Sequence, residues 1–356
     1  MESKSVLITG GAGFVGSHLA IAFRQAFPDL QVTALDNLKR RGSELNLPRL
    51  AAAGVRFCHG DVRCAEDLAA APEFDLLVDA SAEPSVQAGL AGSPRYVLET
   101  NLVGTINCLE AARIRGAAFL FLSSSRVYPI ARLNELPYLE TETRFRWQPT
   151  APRPGFSEHG IGEEFPLDGA RSFYGASKLA CEQLIQEYVN CYRMRAIINR
   201  CGVLAGPWQM GKADQGVVTL WVARHYFDRP LSYHGFGGGG KQVRDVLHVQ
   251  DLCDLVLLQT ASFERWDGRT YNVGGGNDAS VSLQELTAQC AAETGRRVPI
   301  ASVEETAGAD LRIYVTDTRR VASDFGWRPS RDVATTIRDI CLWIHAHRDS
   351  LTNVLA

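Results

Sequence analysis

The sequence carries no excess of one charge: 37 lysines and arginines stand against 40 aspartates and glutamates, and no basic block interrupts the mixture. The long-range positive field needed for sequence-independent nucleic-acid binding is therefore missing, which excludes nucleic acid as an expected partner. No apolar run approaches the roughly 18 residues that a membrane span requires. Met1 to Thr9 pass straight into a strand-like segment, without the charged region, apolar stretch and small-residue cleavage site of a secretory signal. These absences predict a cytoplasmic chain with no membrane partner. Cysteines at CxxC spacing are lacking too, since Cys58 and Cys64, or Cys181 and Cys191, stand too far apart. An odd count of nine with no secretory signal points to buried reduced thiols, with neither disulfides nor a metal site. There is no internal repeat and no low-complexity tract.

What is present is an ordinary globular composition, 46% hydrophobic and 22% charged over 356 residues, enough for a substantial core. Short apolar runs at 6–9, 31–35, 55–59, 76–80, 119–123 and 195–201 alternate with longer helical patterns. Near-continuous apolar runs indicate strands buried on both faces, and the spacing leaves room for crossover helices. The expected fold is α/β, a Rossmann doubly wound parallel sheet with a smaller C-terminal α/β substrate-binding lobe. Residues 1–202, with a return segment at about 240–278, are assigned to the sheet domain, and 203–239 with 279–356 to the lobe. Residues 129–171 lack periodicity and read as a long loop ahead of a helix starting near Ser172. In the lobe, 235–240 is rich in glycine, Tyr271 to Gly274 is strand-like, and Ser282-Leu283-Gln284-Glu285 has the form of a capping box.

Directly after the first strand, Gly10-Gly11-Ala12-Gly13-Phe14-Val15-Gly16 leads into a helix. Glycines at this spacing allow a tight turn, close approach of the backbone to a pyrophosphate, and close packing of helix on strand, while the helix N-terminus faces the anion. Asp36 ends the second strand about twenty residues later, where a carboxylate can accept both ribose hydroxyls. It would repel a 2′-phosphate, so the expected cofactor is NAD; Lys39, Arg40 and Arg41 are the nearby cations that argue for NADP. Asp61-Val62 follows the third strand and suits either an adenine contact or a helix N-cap.

Tyr174-Gly175-Ala176-Ser177-Lys178 places a phenol and an ammonium on one helix face. A neighbouring ammonium favours the phenolate, which makes Tyr174 a candidate general base. Together with the glycine fingerprint and Ser123-Ser124-Ser125-Arg126-Val127-Tyr128, this pattern resembles the extended short-chain dehydrogenase/reductases. The resemblance implies that Ser124 hydrogen-bonds the reacting hydroxyl beside Tyr174 and Lys178, although a strand-end serine can also bond its own backbone. It implies cofactor contacts from Gly10, Gly13, Phe14, Val15, Gly16, Asp36, Asn37, Asp61, Val62, Ala80, Asn101 and Ser123, besides Tyr174 and Lys178. Asn101 matches the family asparagine that supports the central helix, and a local structural bond would account for it equally.

The family's 4,6-dehydratases resemble one another in an Asp-Glu pair after the Ser/Thr, where this chain has Ser125-Arg126. Dehydration is thus disfavoured, and oxidation followed by reduction becomes the expected chemistry. Asp36-Asn37-Leu38, Asp214-Gln215-Gly216 and the run from Gly240 to His248 are similar to the branch of the family that epimerises CDP-sugars at C2. Within the wider group, the Arg-Asp-x-x-His-x-x-Asp pattern of Arg244, Asp245, His248 and Asp251 implies that Arg244 binds the substrate pyrophosphate, with Asp245 and His248 linking the lobes. Ser125, Arg126, Gln209, Gln215 and Arg312 complete the expected substrate contacts, Arg312 because Ala307 stands where relatives often have a second arginine. Val203 likewise replaces a common sugar-contacting Asn. The expected partners are a nucleotide sugar, CDP-linked in the first instance, and a second copy of the chain paired through the helix after Pro94 and the Tyr174 helix. Rival readings are a UDP- or GDP-sugar 4-epimerase, a net sugar dehydrogenase and a non-catalytic NAD-sensing module.

Overall fold

The computed structural model describes residues 4–90, 92–148, 153–211 and 215–355. The first three residues of the N-terminal segment, and Asp214 of the Asp214-Gln215-Gly216 motif, lie outside the described residues. Five runs expected as strands form β1 (Ser5–Thr9), β2 (Gln31–Asp36), β3 (Arg56–His59), β4 (Leu76–Asp79) and β5 (Ala118–Ser124). With the strands Ala196–Cys201 and Asp267–Val273 they make a seven-stranded sheet in the order β3-β2-β1-β4-β5 and then those two. The pairings among β1 to β5 are parallel. Leu7, Ile8, Leu76, Leu77, Val78 and Phe119 to Phe121 are buried, as strands covered on both faces require. Strand order reverses between β1 and β4, and ligands of such sheets bind beyond the carboxyl ends of the strands at that point.

Helix α1 (Phe14–Ala26) buries Gly16, Leu19, Ala20 and Phe23. On another part of the sheet, Leu109 and Ala112 from the helix Gly104–Arg115 and Cys181 and Ile185 from the helix Phe173–Tyr192 join a core with Leu7, Phe119, Phe121 and Ile198. Each large apolar side chain buried there contributes about 1.5–3 kcal/mol, which holds these helices to the sheet.

The chain divides into two compact units. One contains Met1–Val127, Ser172–Arg200 and Leu252–Tyr271; the other contains Tyr128–Arg171, Cys201–Asp251 and Asn272–Ala356. This departs from the expected boundaries in two ways. The returning segment is shorter, so the Arg244 motif belongs to the second unit. Residues 128–171 also belong there, and they are not one long loop: they contain a helix (Ile130–Asn134) and two short antiparallel hairpins, Tyr138–Glu140 with Phe145–Trp147 and Phe156–Ser157 with Gly160–Ile161. The first hairpin is held by Phe145, which packs on Val243, Ile313 and Val315, partners too distant in sequence to leave a periodic signal.

The second unit is built on the strand Val243–His248, which pairs with Val203–Ala205, Ser280–Ser282 and Ile313–Tyr314. Leu231–His234 and Ile300–Val303 form a separate parallel pair. Among the described residues, no helix is long and apolar enough to cross a membrane. Six cysteines are buried as expected, whereas Cys64 and Cys191 are exposed and Cys58 is intermediate.

The expected capping box opens the helix Leu283–Thr294: Ser282 Oγ accepts from Glu285 N at 3.1 Å and Glu285 Oε2 from Ser282 N at 3.0 Å. The Glu285 carboxylate also accepts from Arg144 Nε and Thr143 Oγ1, each at 2.8 Å. Burial works to raise its pKa, but these bonds together outweigh burial and hold it at about 2, below the ordinary 4.5. A depressed carboxylate stabilises the fold fully above its unfolded value and loses that contribution as pH falls through its folded one. Glu285→Gln, which can keep the cap, should cost roughly 1–2 kcal/mol at neutral pH through the lost charge on Arg144. The deficit should shrink between pH 4.5 and about 2, as read from thermal melts across that range; a deficit independent of pH would contradict the assignment.

Candidate active site

The turn after β1 is shaped for a close ligand. Gly10 has φ +62°, and a Cβ there would lie 2.8 Å from Ala80 O; a Cβ on Gly16 would lie 2.2 Å from Gly10 O, so only glycine lets α1 pack this closely on the turn. Gly13 caps α1 without any side-chain hydrogen bond, and Phe14 and Val15 beside it are half-buried. The first N–H groups of the helix are thus left to an external anion, and the cradle fits the pyrophosphate of a dinucleotide.

Asp36 Oδ2 accepts from Ala12 N at 3.1 Å and Oδ1 from Leu38 N at 2.8 Å, which fixes the carboxylate beside the glycine turn. Asn37 Nδ2 donates to Asp61 Oδ2 at 2.9 Å, and Arg63 grips the same carboxylate through Nε at 3.0 Å and Nη2 at 2.6 Å. That Arg63 fork, with Asn37, holds Asp61 well below the usual carboxylate range. Asp61 is not a helix N-cap; Cys64 holds that place before Ala65–Ala69. Val62 is buried against Gly104. Lys39 lies with Nζ 3.5 Å from the Tyr96 ring centroid, and Arg63 shares that ring at 5.2 Å.

Asp79, which the sequence reading passed over, lies fully buried at the end of β4 just before Ala80. Its Oδ1 accepts from Thr9 Oγ1 and Ser81 Oγ, each at 2.7 Å, and its Oδ2 from Thr105 Oγ1 at 2.8 Å. A carboxylate closing an otherwise apolar strand was the available signal. Asn101 lies in a π-helical turn, Glu99–Val103, and binds both ends of one backbone unit: Oδ1 accepts from Glu83 N at 2.7 Å and Nδ2 donates to Glu83 O at 3.1 Å. The same Nδ2 reaches Ser177 Oγ at 3.3 Å. Its amide is therefore committed to the protein, clamping the loop after β4 to the Tyr174 helix.

Ser172 caps that helix by accepting from Gly175 N at 3.2 Å, which sets Tyr174 in the first turn and Lys178 one turn on. Tyr174 is half-buried. Lys178 is buried, donates from Nζ to Leu122 O at 2.9 Å and lies 4.4 Å from the Phe121 ring centroid. At the end of β5, Ser124 Oγ accepts from Arg126 N at 3.1 Å, the local bond weighed above, and an accepting hydroxyl keeps its proton for another partner. Ser125 is buried and Arg126 half-buried. Ser123 turns its hydroxyl away to Glu182 Oε1 at 2.5 Å, leaving its backbone as the group a cofactor could meet. Glu182 in turn pairs with Arg200, whose Nη2 lies 2.6 Å from Oε2, both side chains buried. Nothing in the local pattern announces this pair.

The expected substrate residues of the second unit are mostly engaged within it. Gln209 donates to Leu204 O at 2.9 Å and accepts from Thr219 Oγ1 at 2.8 Å, so its amide braces its own loop. Gln215 is half-buried beside Gly216, the left-handed N-cap of Val217–Tyr226. Arg312 donates to Asn134 O at 3.0 Å, with its guanidinium carbon 4.1 Å from the ring centroid of Tyr138 and 4.9 Å from that of Phe236. Arg244 meets Asp310 Oδ1 at 3.0 Å. Asp245 accepts from Gly276 N at 3.1 Å, His248 Nε2 lies 3.4 Å from Asp339, and Asp251 accepts from Ser330 Oγ at 2.8 Å. Each of these contacts joins parts of the second unit to one another.

Burial raises the Asp36 pKa, only partly offset by the Leu38, Ala12 and Gly13 amides. A raised carboxyl favours the cofactor-free fold most below its ordinary 3.8, and that contribution is lost as pH rises through the raised value. If Asp36 accepts from the ribose hydroxyls of NAD, its ionised form accepts from both best, and NAD affinity should hold at neutral pH and fall on acidification through the same raised value. Asp36→Asn should bind NAD roughly ten- to a hundredfold more weakly and lose this acid limb. Titration calorimetry over a pH series checks both, and an unchanged affinity in the variant would overturn the role of Asp36.

Known proteins bear on this site. The model of the NAD dependent epimerase/dehydratase family matches residues 6–274. A CDP-paratose 2-epimerase of Salmonella typhi is 30% identical over 95% of this chain and 98% of its own. A dTDP-glucose 4,6-dehydratase of an Actinoplanes strain is also 30% identical, over 96% and 98%. Among solved structures, the UDP-glucose 4-epimerase of Thermus thermophilus in complex with NAD superposes with a TM-score of 0.76 at 26% identity, over 96% of this chain and 99% of that one. Matches of this extent, on a chain whose glycine turn and Tyr174 helix are built as described, make the protein an NAD-dependent enzyme of the epimerase/dehydratase family.

Proposed function

We propose that the protein inverts one carbon of a nucleotide-activated sugar, specifically C2 of a CDP-sugar of the paratose/tyvelose type, through a transient keto sugar. The observation that carries this reading is the pair after Ser124. Eliminating water needs an acid and a base at neighbouring carbons, and Ser125 and Arg126 offer no carboxyl group there. That distinguishes the chain from the 4,6-dehydratases, one of which is 30% identical to it, as the 2-epimerase is.

A sugar C–H flanked by hydroxyl-bearing or acetal carbons lacks the adjacent carbonyl that would make it acidic, so direct proton abstraction cannot invert it. Tyr174 takes the proton of the reacting hydroxyl. Lys178, fixed one turn away by the Leu122 carbonyl, presents its ammonium on the same helix, and Ser124 donates its proton to the sugar oxygen. The Gly10–Gly16 turn and Asp36 would hold NAD, which would supply reversible two-electron chemistry at the sugar carbon. The keto sugar turns its other face before Tyr174 gives the proton back, while Arg244 keeps the diphosphate in place. Inversion at C4 of a UDP- or GDP-sugar would use the same residues with the sugar seated differently.

Incubation with CDP-, UDP-, GDP- and dTDP-sugars and product analysis by NMR tests this reading. A C2 epimer from a CDP-sugar is expected; a C4 epimer, a dehydrated product or stoichiometric NADH release would each replace it. Tyr174→Phe should lower turnover by about 10²–10⁴-fold with NAD still bound, and normal turnover would remove Tyr174 as the base.

We also infer a homodimer. Leu184 and Ile185 cover the sheet, but Ile114 and Tyr192 are 71% and 56% exposed on the two helices expected to pair, with Val103 also exposed. The helices are tied to each other where Tyr188 bonds Glu110 and Arg113 lies over Tyr192, giving one continuous face for a two-fold partner. Light scattering at micromolar concentration should give twice the chain mass and Ile114→Asp should shift it towards monomer; a monomeric mass for the unaltered protein would reject the dimer.

A further inference from the structure

We propose that Asp310 is a built-in counter-ion of Arg244 that the substrate diphosphate must displace, so that this carboxylate sets the affinity for the nucleotide. The inference rests on the reading of Arg244 as the diphosphate ligand. A guanidinium has five N–H donors in a planar fork, and each edge that grips a phosphate through two bonds includes a hydrogen of Nη2. In Arg244 both Nη2 hydrogens are taken, one by Asp310 Oδ1 at 3.0 Å and one by Leu311 O at 2.7 Å, while Nη1 donates to Val243 O at 2.8 Å. Neither edge is open until one of these two acceptors leaves.

The two are not equally free to go. Leu311 is buried, and its flanking backbone is pinned: Asn134 Nδ2 donates to Asp310 O at 3.0 Å, Arg312 N donates to Asn134 Oδ1 at 2.9 Å, and Val243 N donates to Arg312 O at 3.0 Å. Releasing the Leu311 carbonyl would break this set. The Asp310 carboxylate is 28% exposed, follows the exposed residues 304–308, and can swing to water by side-chain rotation alone. Its presence also answers a need of the unliganded protein. Burial pulls the Arg244 guanidinium below its ordinary basicity, and Asp310 is the foremost charge opposing that loss. Exchange of carboxylate for diphosphate keeps the arginine paired in both states, and the nucleotide binds more weakly by whatever it takes to part Asp310 from Arg244.

Asp310→Asn removes the charge but keeps an oxygen for the Leu311 N–H, now bonded at 2.8 Å. Calorimetric titration of the NAD-loaded protein with CDP, UDP and dTDP provides the test. Asp310→Asn should tighten the best-bound diphosphate on the order of three- to tenfold, the range of a half-buried charged bond that no longer has to break. Asp310→Ala serves the same purpose if the amide variant melts early. Arg244→Ala should weaken binding by roughly ten- to a hundredfold, and adding Asp310→Asn to it should give no gain. Equal or weaker binding by both Asp310 variants, with Arg244→Ala still impaired, would show that Asp310 orients the arginine and would overturn the counter-ion role alone. Unimpaired binding by Arg244→Ala, or no binding of any of the three diphosphates to the unaltered protein, would overturn the reading of Arg244 beneath it.

Discussion

The hydrogen bond from Lys178 Nζ to Leu122 O, 2.9 Å long and buried, is the constraint on which the geometry of the proposed catalytic site depends. An ammonium withdrawn from water costs several kcal/mol unless its protons find acceptors, so Lys178 cannot drift from this carbonyl cheaply. The bond joins the Tyr174 helix to β5 just before Ser123 and Ser124. One turn further along the helix, Glu182 repeats the attachment through Ser123 and Arg200. A helix bolted to the sheet at two successive turns holds Tyr174 and Ser124 on rigid elements, which would keep the proposed base and hydroxyl donor in register without help from substrate. Lys178 thus carries a structural duty of its own.

A second set of buried polar contacts holds the other wall of the site. Asp79 collects hydroxyls from β1, from the residue after Ala80 and from the helix Gly104–Arg115, exactly where strand order reverses. Asn101 binds Glu83 at two points and touches Ser177, so the loop after β4 is referenced to the same helix that carries Tyr174. Fully partnered polar groups of this kind specify one arrangement, while an unpartnered one would be costly. The glycine turn and the Tyr174 helix are in this way each held by buried polar contacts within one unit of the chain.

Much of this was legible in the sequence, for identifiable reasons. Apolar runs buried on both faces mark their own ends, and the six expected strands of the first two hundred residues lie within one residue of where they form. The glycine turn, Asp36 and the Tyr174–Lys178 pair are local patterns whose chemistry follows from spacing. The capping box at Ser282 is local too, and it formed. Residues 128–171 were not legible, because Phe145 finds its partners about a hundred and more residues away. Gln209 and Arg312 have the right types for a substrate site, but type does not reveal that Thr219, Leu204 and Asn134 already engage them. Asp310 lies 66 residues from Arg244, and Glu182 18 from Arg200, separations at which sequence gives no pairing rule.

The proposed epimerisation makes one chemical statement: the hydrogen on the inverted carbon leaves and returns without ever joining the solvent pool. In that proposal Tyr174 exchanges only the hydroxyl proton, which passes between oxygens. Turnover of a CDP-sugar to equilibrium in D2O, read by NMR at the inverted carbon, separates this from any proton-transfer route. No deuterium at that carbon is the predicted result, and its incorporation in step with epimerisation would contradict the oxidation and re-reduction of the sugar.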